Sequence, residues 1–316
     1  MSRSEARNRL DDAARAGWLY YICGNTQDEI AAKMGISRQS AQRLVSLAMS
    51  ERLIKFRLDH PIAGCLAAAG RLKDRFGLSV CEVVPSDPGS TSTTLGIAEA
   101  GAAEIERVLR GAEPVVMAVG TGRTLKAAVD QLPPMECPQH RIVSMTGNIA
   151  PDGSAAFYNV IFSMADAVRA HHFPMLLPVF AASRAERDML HGQPTIRHTL
   201  DLVAKADVAF VGIGELGPRA PLLVDGFITA DELAGFEEKG AAGEICGWVF
   251  DADGRLIDDE VSRRNAGAPL PSARRTRVVA IAMGERKRPA IRAALRGGLL
   301  SGLITDEATA AAVLAG

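Results

Sequence analysis

The hydrophobic pattern changes character along the 316-residue chain. Residues 11–50 carry apolar positions at helical steps. In "DDAARAGWLYYIC", Trp18, Leu19 and Ile22 mark the core face of a first helix. Ile30, Ala31 and Met34 mark a second, and Ala41, Leu44, Val45 and Ala48 a third. Thr26 with Glu29 forms a capping-box pattern, and Gly35 ends that helix in a left-handed turn. Ile36 plugs into the core, and Ser37 caps the third helix, predicted to run to about Met49. "RLIKFRL" then alternates apolar and basic residues, as a wing strand does. After a linking helix in "DHPIAGCLAAAGRLKDRFGLS", short β-branched runs begin: 81–86, 114–122, 141–148, 206–214 and 277–284. Helical stretches at 98–110, 124–132, 160–170 and 286–298 separate them. Strands alternating with helices predict an α/β domain built on a parallel sheet with helices on both faces. The predicted organisation is a three-helix segment over 1–58 and a larger domain over 59–316, with the linking helix at 59–78.

Composition narrows the class. Hydrophobic residues are 47% and charged residues 23%, enough for a substantial core. No apolar run is long enough for a membrane helix, and the charged N-terminus lacks the apolar middle of a signal peptide. The expected setting is cytoplasmic, with no membrane partner. Cys23, Cys65, Cys81, Cys137 and Cys246 are scattered without C-x-x-C pairs or nearby histidines at ligand spacing, so they read as isolated thiols. Charge is unevenly placed. Residues 1–58 hold ten Lys/Arg against six Asp/Glu, whereas the remainder holds 26 against 31. The first segment is the part suited to phosphates.

Two short helices joined by a glycine turn describe a helix-turn-helix. Arg38, Gln39, Gln42 and Arg43 occupy one face of its second helix, where arginine reads guanine and glutamine reads adenine. Thr26, Gln27, Ser37 and Ser40, at the two helix starts, complete the expected DNA-binding set. A hairpin that merely packs or dimerises has similar geometry. The small residues Ala31 and Gly35, the paired caps and the local positive charge favour DNA.

In the larger domain the most suggestive turn is "GTGRTL". Gly120 and Gly122 let the backbone curl, Thr121 and Thr124 add hydroxyls, and Arg123 adds charge beside a helix start. Phosphate or a polyhydroxylated ligand suits such a turn, although a plain strand-to-helix turn looks alike. Gly212 follows the apolar core of the run "ADVAFVGIG". Glu244, Asp251 and Lys287 fall near other strand ends, the last flanked by Arg286 and Arg288. "DADG" (251–254) also reads as an ordinary hairpin turn. His171 and His172, placed on a helix, point to different faces and make a poor metal pair. No catalytic triad spacing, paired metal ligands or cofactor motif stands out, so no catalytic residue, metal or cofactor is assigned.

With these residues in view, the chain resembles the SorC family of sugar-responsive bacterial transcription regulators, from about residue 10 onward. The matching stretches are "AGWLYYICGNTQDEIAAKMGISRQSAQRLV", "GTGRTL", "ADVAFVGIG", "GEICGWVFDADG" and "AIRAALRGGLLSGLITDEATA". The resemblance implies an N-terminal (winged) helix-turn-helix and a Rossmann-like effector domain related in fold to sugar-phosphate isomerases. It also implies that the loop at Gly120–Thr124, Glu244 and Lys287 face the ligand, and that the protein acts as a dimer or tetramer on operator DNA. Where relatives often carry Gly-Gly, this chain has Met283-Gly284, which narrows the wall beside Lys287. The stretch "TGNIAPDGSAAFYNV" also departs from an Asn-rich pattern. The N-terminal wording is nearest to regulators of polyol uptake and catabolism. The implied function is a DNA-binding regulator of a carbohydrate or polyol catabolic operon, with no enzymatic activity. Its DNA affinity would be set by a sugar, polyol or sugar phosphate at the strand ends. The alternative is a sugar-phosphate isomerase-like enzyme with a fused DNA-binding segment.

Overall fold

The computed structural model describes residues 3–51, 53–54, 62–86, 95–156 and 158–316. Cα proximity divides the chain into two compact units, Met1–His60 and Pro61–Gly316. The first contains α1 (Arg3–Tyr21), α2 (Gln27–Met34) and α3 (Arg38–Ser50). Thr26 caps α2 with the expected capping box, its side chain accepting from the Glu29 amide while Glu29 reaches back to the Thr26 amide. Gly35 follows at φ 66°, a left-handed conformation that glycine adopts without Cβ cost. Ser37 caps α3 through the Ser40 amide.

Ala16, Ile30, Ala31, Ala41 and Val45 form the core of this unit, with Leu19, Met34, Ile36 and Leu44 packed against it. Two expectations fail here. Trp18 is 54% and Ile22 66% exposed. The buried face of α1 is instead its alanine face, Ala13 and Ala16, because α1 lies close on α3. A Cβ added at Gly17 would sit 2.8 Å from the Ala48 Cβ. The predicted wing, "RLIKFRL", falls mostly outside the described residues.

The second unit begins with α4 (Ala63–Phe76). Its strands are β1 (Val80–Val84), β2 (Val116–Val119), β3 (Met135–Ile149), β4 (Val168–Pro178), β5 (Val208–Val211), β6 (Ala241–Ile245), β7 (Trp248–Asp251), β8 (Arg277–Ile281) and β9 (Gly302–Asp306). Between them come α5 (Leu95–Leu109), α6 (Arg123–Val129), α7 (Val160–Ala167), α8 (Arg184–His191) and α9 (Pro194–Ala204). The later helices are α10 (Pro221–Val224), α11 (Ala230–Glu238), α12 (Arg288–Arg296) and α13 (Glu307–Ala315). Seven strands form one sheet in the order β1-β9-β8-β5-β2-β3-β4, parallel throughout; β6 and β7 form a separate antiparallel hairpin.

Strand periodicity sends alternate residues to opposite faces. Ala118, Ala209, Val211, Val278 and Ala280 join one core with α4, α9, α12 and α13. Met117, Val119, Phe210, Val279 and Ile281 join the other with α5, α6 and α7. Both faces are therefore covered, which is why the central strands read as unbroken apolar runs.

Three sequence expectations are corrected. The helix expected over 160–170 stops at Ala167, and "VRAHHFPMLLP" forms edge strand β4. An edge position tolerates its two prolines. His171 and His172 are therefore strand neighbours, not helix neighbours. The fully buried strand β9, unpredicted, inserts between β1 and β8. Strand β3 begins at Met135, before the expected 141.

Ile30 is fully buried in the small core of the first unit. Ile30→Ala is expected to cost about 2–5 kcal/mol there. Hydrogen exchange monitored by mass spectrometry should show loss of protection in α1, α2 and α3, with the second unit's protection retained.

Candidate functional site

The strand order reverses between β2 and β5. From β2 the chain moves outward through β3 to β4, then returns to lay β5 on the other side of β2. Ligands of open α/β sheets bind at such a switch point, beyond the carboxyl ends of the strands. A cleft opens there.

Of the residues expected at a ligand site, Thr121, Gly122, Arg123, Thr124, Gly212, Glu244 and Lys287 line this cleft. Gly120 lies beneath it. Its amide donates to the Phe210 carbonyl at 2.8 Å, and a Cβ there would be 2.7 Å from the Cys246 Sγ. Asp251 does not line the cleft. Its Oδ1 accepts from the Asp253 and Arg255 amides, each at 2.9 Å, so it caps the hairpin turn.

The loop after β2 is held open by a tether. The Thr121 hydroxyl donates to the Tyr158 carbonyl at 3.0 Å. Opposite it, β6 and β7 turn through Cys246 and Gly247, at φ 54° and 79°. The tip of this hairpin is stitched to the end of β5. The Gly214 amide donates to the Glu244 carbonyl at 2.9 Å, and the Glu244 amide donates back to Gly214 at 3.1 Å. Glu244 Oε2 accepts from the Gly247 amide at 2.7 Å. A Cβ at Gly214 would fall 1.8 Å from Glu244 Oε1, so only glycine lets the carboxylate lie there.

Lys287 arrives from the turn Glu285–Lys287 after β8. Burial pushes the Glu244 carboxyl up, opposed by the Gly247 amide and the Lys287 charge. Burial pushes the Lys287 ammonium down, opposed by Glu244, while Arg123 adds to the lowering. Nearby Arg286 is paired with Glu215 at 3.3 Å.

The sequence reading missed several lining residues, Asp225 and Cys246 among them. Asp225, just after α10, lines the cleft, and burial raises its carboxyl while the Arg123 charge pulls it down. Its setting, "LLVDGFIT", reads only as a turn. Cys246 also lines the cleft, its thiol pushed up by burial and by Glu244. The sequence signal was slight, since "ICGW" hints at a turn only through Gly247.

The first unit presents a different surface. Arg38, Gln39, Gln42 and Arg43 are exposed on α3, while Ala41, Val45 and Ala48 of the same helix are buried. Arg38 forms an ion pair with Asp28 of α2 at 3.5 Å. Both partners are largely exposed, so this pair is worth about 1 kcal/mol at most and yields readily to phosphate. The Ser37 and Ser40 hydroxyls are 2.9 Å apart and occupied with each other and the cap. Thr26 Oγ1 is bound to Glu29, and Gln27 is half-buried at the start of α2. The free donors on this face are therefore on α3.

Known proteins share both the sequence and the fold. Residues 60–315 match the Sugar-bind family, a sugar-binding domain. The erythritol catabolism regulatory protein EryD of Brucella abortus is 32% identical over 302 residues, 96% of each chain. The transcriptional regulator LsrR of Klebsiella pneumoniae is 33% identical over 309 residues, 96% of this chain and 92% of the relative. The full-length sorbitol operon regulator SorC of Klebsiella pneumoniae superposes with a TM-score of 0.71. That match covers 97% of this chain and 99% of SorC at 24% identity. These relatives carry the names of regulators rather than enzymes. The match over residues 60–315, with relatives 32–33% identical over nearly the whole chain, places the chain in the SorC family of sugar-binding transcriptional regulators.

Proposed function

We propose that the protein controls a carbohydrate or polyol catabolic operon in the cytoplasm. In this reading α2 and α3 form a helix-turn-helix that reads operator DNA, and a sugar-type effector bound in the switch-point cleft sets its affinity. The observation that carries the reading is the division of labour. One unit exposes arginines and glutamines on a single helix face, and the other holds a cleft lined by Arg123, Asp225, Glu244 and Lys287. EryD and SorC, by their names, serve erythritol and sorbitol systems, which supports a polyol or sugar as the effector.

The protein acts as a dimer or tetramer. Two copies of α3 then meet half-sites about one or more helical turns apart, and effector binding changes the spacing between them. A residue on α3 contributes through base edges, whereas cleft residues contribute only through the effector.

Fluorescence anisotropy with DNA from upstream of the protein's own operon, at fixed salt, tests the reading. Binding should be sequence-specific and shifted by one compound among polyols, sugars and sugar phosphates. Gln39→Ala or Gln42→Ala should relax preference at a particular base pair, costing about 1–3 kcal/mol there. An equal loss on every sequence would show that these side chains do not read bases. Gly214→Ala displaces the Glu244 carboxylate and should reduce the effector-induced shift at least about tenfold, the loss of one hydrogen bond to a charged group. An unchanged shift would place the effector elsewhere.

A further inference from the structure

The charged groups in the cleft form an unusual set, and their pairing bears on what they bind. Its charged lining residues are Arg123, Asp225, Glu244 and Lys287, two cations and two carboxylates. Each carboxylate has a cationic neighbour, Arg123 for Asp225 and Lys287 for Glu244. Yet among the described residues neither couple closes into an ion pair within 4.0 Å. Nor do the Asp225, Arg123 and Lys287 side chains hydrogen-bond to any described residue. Glu244 uses Oε2 on the Gly247 amide. The next cation along, Arg286, is held by Glu215 and adds no free charge.

Hydrogen-bond inventory then discriminates among ligands. An ionised carboxylate only accepts, and guanidinium and ammonium groups only donate. A hydroxyl does both, so one hydroxyl can bridge an acid and a base held apart by more than ion-pair distance. A phosphate dianion carries acceptors alone. Placed here it would satisfy Arg123 and Lys287, but it offers Asp225 and Glu244 no donor of its own and adds like charge beside them in a partly desolvated space. The same lining includes the apolar Ile213, Leu222 and Phe227, which suit the C–H faces of a short carbon chain.

Resting on the reading of this cleft as the effector site, we propose that the effector is an uncharged polyol or sugar. Asp225 is the specificity residue that accepts its hydroxyls and excludes phosphate esters. The free Asp225 carboxylate, which lines the cleft with Arg123, is the group whose partner must come from the ligand.

Isothermal titration of the full chain tests this, with erythritol, xylitol and sorbitol, the terminal phosphate ester of each, and inorganic phosphate. Wild type, Asp225→Asn and Lys287→Ala are compared. At least one alditol should bind saturably, its phosphate ester at least about tenfold more weakly, as expected when a hydrogen bond to a charged group is lost. Asp225→Asn should narrow or reverse that ratio. Because the ratio is measured within one protein sample, it does not depend on how much of the variant folds. A phosphate ester that binds wild type more tightly than its alditol overturns the proposal, as does a ratio unchanged in Asp225→Asn. If such ester binding is lost in Lys287→Ala, the cleft remains the effector site and only the uncharged class is wrong. Binding of no compound, or binding indifferent to both substitutions, removes the cleft reading and this proposal together.

Discussion

The site depends on one antiparallel stitch: the paired hydrogen bonds between Gly214 and Glu244. The sheet by itself supplies only a crevice between β2 and β5. The stitch brings the β6–β7 hairpin onto the end of β5, so its tip closes the crevice into a cleft. It also fixes the Glu244 backbone, and the Gly247 amide then orients the carboxylate. Gly214 has to be glycine because the Glu244 carboxylate occupies the space of a side chain. Lys287, arriving from the far side of β5 at the end of β8, completes the ring.

The cost of this arrangement is desolvation. Burial works against the charged forms of Glu244, Asp225 and Lys287 alike, and mutual attraction only partly offsets it. Charges left apart in a cleft are a poor contribution to stability and a good one to binding, since a ligand can supply the missing partners. That contrast separates the cleft from the surface ion pairs, such as Arg169 with Glu136, which are solvated and near neutral in effect.

Much of the fold was legible because burial on both faces leaves a simple mark. The runs around β2, β5 and β8 are continuous and apolar, and Thr26, Gly35 and Ser37 mark the helix ends with local chemistry. What stayed hidden lacks a local signature. Strand β4 carries two prolines and two histidines, which its edge position permits, and β9 is five residues placed by distant β1 and β8. Trp18 falls on the expected core face of the first helix, but α1 packs through alanines because its approach to α3 is close. In the site, the glycine turn after β2 was readable. Asp225 was not, because a carboxylate before a glycine describes any turn until tertiary packing brings it to the cleft that Arg123 also lines. Asp251 misled for the converse reason: an acid next to the hairpin serves the turn and never reaches the cleft.

The central claim is that the cleft and the exposed face of α3 are energetically coupled. Such coupling must be reciprocal, and typical values are about 1–3 kcal/mol, or roughly 5- to 150-fold in affinity. The most direct measurement is the Kd of the full chain for its effector in the absence and in the presence of saturating operator DNA. The effector Kd should change by the same factor, in the same direction, as the DNA Kd changes when the effector saturates. An effector Kd that is identical with and without operator would show that the two surfaces do not communicate, and would contradict the account.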